Sequence, residues 1–122
     1  MKYKITWEKN GAIIVFNGSL TVHDVINCQK ELQNSERHDG LEFVISDYTK
    51  AVISQMSDED RELTLGLTIG ASYTLPSLKL AIIATEIDAV NFAKYRAEKY
   101  KEYGLQWEIR IFSSIAEARN WI

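Results

Sequence analysis

Residues 78–122 constrain the fold more than any other part of this chain. They read as strand (78–85), helix (88–103), strand (107–112) and helix (114–122). Two apolar strands separated by a helix cannot be joined by a hairpin. They need a crossover, which makes them parallel neighbours in an α/β sheet. Ala89, Phe92, Ala93, Ala97 and Tyr100 form the inner stripe of the first of these helices, and Gly104 is its expected stop. Ser114 and Glu117 open the second as a capping box, with Ile115, Ala118 and Ile122 expected inward and Trp121 at the edge.

The first half supplies the rest of the sheet. Tyr3, Ile5 and Trp7 alternate with lysine and threonine, the period of a half-exposed strand. Asn10-Gly11 then signals a hairpin, because both residues tolerate positive φ. Residues 12–16 are the return strand, with Gly18-Ser19 ending it. Thr21 and Asp24 predict a second capping box, with Leu20 stapled onto Val25 and the helix ending near Asn34. Residues 41–46 are a short buried strand, with Asp47 just past it.

Residues 57–73 carry two competing signals. Ser57 followed by Asp58, Glu59 and Asp60 is a helix cap with carboxylates at the positive end of the dipole. Leu63, Leu65, Leu67 and Ile69, however, alternate with polar residues and glycine as in a strand. The cap and the need for a crossover favour helix. The resulting order, β-β-α-β-α-β-α-β-α, predicts a single α/β domain over residues 1–122. Its sheet would be five-stranded, mixed and mostly parallel, led by an antiparallel hairpin.

Composition narrows the function class. With 14 basic and 17 acidic residues the formal net charge is −3, too mild to imply a nucleic-acid partner. No apolar run is long enough to insert into a membrane, and the first residues lack the apolar core of a signal peptide. The single cysteine, Cys28, fits a reducing compartment, so a cytoplasmic location is expected.

The order of elements, residues 79–84 (KLAIIA) and residues 109–121, in which IRIF runs into IAEARNW, resemble SpoIIAA-like domains. These are relatives of the STAS domains of anti-sigma-factor antagonists, and the tail is similar to that of bacterial members of the group. The strand ending in Asp47 is similar as well. The resemblance spans nearly the whole chain but rests on core positions. It implies the mixed sheet above and a non-enzymatic regulatory module that binds a protein partner or small ligand. In STAS domains a serine or threonine near a helix start can be phosphorylated within a D-S-[ST]-G-like motif. Here Asp47 is followed by Tyr48, Thr49, Lys50 and Ala51, so that motif is missing, and Ser57 or Thr49 would have to serve instead.

In open α/β sheets, ligands sit beyond the carboxyl ends of the parallel strands. The residues expected there are Ser19, Asp47, Tyr48, Thr49, Thr85 and Glu86, a set of hydroxyls and carboxylates for a small polar ligand. The plainer role for such residues is to cap loops and helix starts. An alternative of a different class is a small hydrolase or isomerase using Asp47 as base, assisted by Thr49 or Tyr48. A receiver-domain reading of Asp47 and Thr85 lacks both the acidic pair after the first parallel strand and the lysine after the last. His23, His38 and Cys28 form no convergent set, so neither a metal nor another cofactor is expected. On residues 86–102 four basic residues, Lys94, Arg96, Lys99 and Lys101, meet four acidic ones and predict a solvated, salt-bridged face. Gly66 and Gly70 share one helix face and would let the backbone lie close to the sheet or to a partner. With Tyr73 they form the expected interface, and a homodimer would bury it.

Overall fold

A computed structural model describes residues 2–122. The hairpin strands are β1 (Tyr3–Glu8) and β2 (Gly11–Ser19), followed by helix α1 (Val22–Asn34) and a short 3-10 turn at His38–Gly40. Then come β3 (Phe43–Val52), α2 (Asp58–Ser72), β4 (Lys79–Ile83), α3 (Ile87–Glu102), β5 (Glu108–Phe112) and α4 (Ile115–Trp121). The five strands lie in sequence order, β1-β2-β3-β4-β5. β1 is antiparallel to β2 and every other pair is parallel. The expected architecture is therefore the observed one.

Sequential strand order has a consequence for the layers. Three right-handed crossovers stepping the same way across a sheet put their helices on the same face. The main core accordingly joins Ala12, Ile14, Val44, Leu80 and Ile82 of the sheet to Val25, Leu65 and Phe92 of α1, α2 and α3. α4 has no strand to follow and folds back on the opposite face. There Ala118 packs on Ile45, Ala81 and Ile83, with Phe43, Phe112 and Trp121 at the margin. Arg119 donates to both Glu8 carboxylate oxygens, which ties the far end of α4 to β1.

Several local expectations need correction. The hairpin turn is Lys9-Asn10 rather than Asn10-Gly11: Glu8 pairs with Gly11, and Asn10 alone takes a positive φ, 63°. Gly11 is needed for another reason. It lies opposite Phe43, whose ring occupies the space a Cβ would fill. β2 and β3 also run further than their apolar cores. A bulge in β3 between Asp47 and Lys50, opposite Val15–Asn17, shifts the register, and pairing continues through Asn17↔Lys50 and Gly18↔Ala51 to Ser19↔Val52. Polar residues in these extensions satisfy each other's backbone, which no single-strand pattern reveals. On α4, Ala118 is fully buried, but Ile115 and Ile122 are exposed. Ser114 does accept from the Glu117 amide, while the Glu117 carboxylate turns to Ser113.

α2 is a helix, and its misleading alternation has a physical cause. Its inner face carries Thr64, Thr68 and Ala71 beside Leu65. The threonine hydroxyls are absorbed by the helix itself, Thr64 donating to the Arg61 carbonyl (2.9 Å) and Thr68 to the Thr64 carbonyl (3.2 Å). Threonine thus fills positions where the helical pattern calls for aliphatic residues, and Leu63 is left outside.

Candidate functional site

The residues expected at the strand ends do not converge. Asp47 lies within β3, level with Ile83 at the end of β4, rather than in a loop. Its Oδ1 accepts from the Thr49 amide (2.9 Å) and hydroxyl (2.7 Å). Tyr48 packs into the helix-side core, whereas Asp47 and Thr49 bond to each other outside it. The Tyr48 hydroxyl therefore cannot assist Asp47. Ser19 pairs with Val52, five residues along β3 from Asp47, which is roughly 16 Å at about 3.3 Å per residue. Thr85 and Glu86 follow β4 at the exposed start of α3, and Glu86 is its N-cap without a side-chain bond.

On α2, Ser57 is the N-cap, in a reciprocal box with Asp60. Gly66 and Gly70 face away from the sheet, and nothing lies within 4 Å of where their Cβ atoms would be. On the same outer surface Leu63 is 54% exposed and Tyr73, just past the helix, is 84% exposed. The close backbone approach to the sheet is thus excluded, and the approach to a partner is left.

A concavity of different character lies elsewhere, between the sheet and α1, α2 and α3. It is a mostly apolar cavity of about 90 Å³. It runs along the inner side of β3, from Phe16 and Tyr48 to Leu41, Leu78 and Trp107 just before β3, β4 and β5. The Trp107 indole donates to the Leu75 carbonyl (2.6 Å) and braces that second end.

One corner of this cavity is polar. The charges along α3 predict a solvated face for Arg96, yet it is buried, 6% exposed. Its Nη2 donates to Thr68 Oγ1 (2.6 Å) and to the Tyr100 hydroxyl (2.8 Å). The guanidinium also stands 5.6 Å from the ring centroids of Phe92 and of Tyr100. Among the described residues no carboxylate pairs with it. Burying an ion costs several kcal/mol. Charged hydrogen bonds contribute roughly 1.5–3 kcal/mol each and a desolvated cation–π contact about 2, so neutral partners can hold it. Burial opposes the charge, but Tyr100, which accepts its hydrogen bond, favours it, and the pKa of Arg96 is raised. The corner also contains Gln29, whose Nε2 donates to Thr68 Oγ1 (3.2 Å) while its Oε1 is buried without a donor. Tyr48 is 7% exposed and stacks on Phe16. Burial drives its phenol pKa up, so the hydroxyl stays a donor, and it bonds no described residue.

A signal for Arg96 was present in the sequence. It lies four residues after Phe92 and four before Tyr100, on the buried stripe, and only its charge argued against burial. Cys28 lines the same cavity, 1% exposed, with burial pushing its thiol up to about 12. Among the described residues no group of histidine, cysteine and carboxylates could hold a metal ion, and no helix is long and apolar enough to cross a membrane.

No protein-family model matches the chain, and no curated protein matches its sequence. Among solved structures it is similar to the anti-sigma factor antagonist SpoIIAA in its unphosphorylated form. The TM-score is 0.55 at 11% identity, over 97% of this chain and 94% of that one. The fold is SpoIIAA-like.

Proposed function

We propose that this chain is a non-enzymatic STAS-like regulatory module that binds a protein partner through the outer face of α2. The observation that carries this reading is the surface of Leu63, Gly66, Gly70 and Tyr73. Two exposed apolar side chains flank a strip of bare backbone, which lets another chain approach closely. The similarity to SpoIIAA supports it, because that protein is an antagonist of an anti-sigma factor and has a fold covering nearly the same length. Ser57 is the regulatory position in this reading. A phosphate there would gain from the helix dipole but meet Asp58, Glu59 and Asp60, and it would break the capping box.

Affinity capture from the native cytoplasm with wild type and Gly66→Arg tests the surface. A partner held by wild type and lost from the folded variant is expected. An unchanged set of captured proteins contradicts the reading. A second copy is another occupant of the same face. In that case light scattering gives a dimer for wild type and a monomer for Gly66→Arg.

A further inference from the structure

We propose that the interior cavity is a binding site for a short aliphatic carboxylate, held through Arg96 and the Tyr48 hydroxyl. Three features point to this ligand. First, the cavity contains a buried positive charge that no described carboxylate neutralises. Both hydrogen bonds of Arg96 leave from Nη2 to neutral hydroxyls, so Nη1 and Nε retain donors for an anion. Second, Tyr48 lines the same cavity at 7% exposure, and its hydroxyl bonds none of the described residues. A carboxylate accepts from both groups at once. Third, His38, Ser46 and Gln33 also line the cavity, but most of the remaining wall is apolar, including Ile14, Val44, Leu80 and Ile82, and suits an alkyl chain. At about 90 Å³, the space is smaller than the roughly 150 Å³ of a void that takes benzene, which sets the chain at about two to four carbons. This site lies on the inner side of α2, so it does not depend on the outer-face reading above.

The test is an NMR titration of ¹⁵N-labelled protein with sodium propionate and sodium butyrate, following the Arg96 Nε–H resonance. 1-Propanol and 1-butanol are the uncharged controls, and octanoate is the oversized one. Saturable shifts of Arg96 with the two short acids are expected, with weaker responses to the alcohols and to octanoate. Arg96→Met should weaken butyrate binding at least about tenfold. Tyr48→Phe, which keeps the ring stacked on Phe16, should weaken it several-fold and covers the case in which Arg96→Met does not fold. The proposal is overturned if neither acid gives a saturable shift, if the alcohols bind as well as the acids, or if Tyr48→Phe binds butyrate like wild type.

Discussion

The contact between Gly11 and Phe43 yields the sharpest stability prediction. Gly11 opens β2 directly opposite Phe43 in β3, and a Cβ at position 11 would overlap the far end of the phenyl ring. Two effects oppose each other in Gly11→Ala. Replacing glycine in a strand lowers the entropy lost on folding, a gain of roughly 0.5–1 kcal/mol. Displacing the ring is overpacking, which costs about 1–3 kcal/mol. Phe43 also borders the Ala118 cluster, so its ring cannot swing away without losing that packing. The net expectation is a loss of about 0.5–2 kcal/mol in wild type. In a Phe43→Ala background the overlap is gone, and the same substitution should stabilise by roughly 0.5–1 kcal/mol. Urea denaturation of the four proteins of this double-mutant cycle, at constant m-value, measures the coupling as about 1–3 kcal/mol. Additivity within about 0.5 kcal/mol would show that the ring does not lie over Gly11 and would refute this register.

Two further outcomes follow from the titrating groups. Backbone and side-chain bonds from Thr21 hold the Asp24 pKa below its ordinary value. Its contribution to stability is therefore present above the unfolded carboxylate pKa and is lost as pH falls through the lower folded value. Asp24→Asn should flatten the acid limb of a stability–pH curve, and an unchanged limb would count against the capping box. Cys28, with its thiol buried and pushed up to about 12, should resist a thiol reagent at pH 8 and react once urea unfolds the chain. Immediate labelling of the native protein would contradict its burial.

The architecture was legible where local chemistry and periodicity agree. The Thr21–Asp24 and Ser57–Asp60 boxes marked two helix starts, and Gly104, with φ 71°, marked a helix stop. The site was much less legible. The apolar run stops at Ile45-Ser46, which on its own puts Asp47 beyond the strand. β3 continues because β2 pairs with it through polar residues, and register belongs to two strands rather than one. The charge of Arg96 argues for solvent, although its spacing from Phe92 and Tyr100 puts it on the inner stripe. Only the tertiary arrangement shows that Thr68, Tyr100 and two aromatic rings can hold a guanidinium inside. The exposed face of α2 was half legible. The shared side of Gly66 and Gly70 followed from helical geometry, but which way that side points depended on the buried threonines.

Hydrogen exchange of the chain, alone and bound to its captured partner, tests the central claim most directly, because it reports which backbone amides the partner shields. Increased protection concentrated in residues 62–73, with the amides of β5 and α4 unchanged, is the predicted result. Protection confined to α4 or to the loop at Thr85 and Glu86, with α2 exchanging as in the free protein, would contradict a docking surface on the outer face of α2.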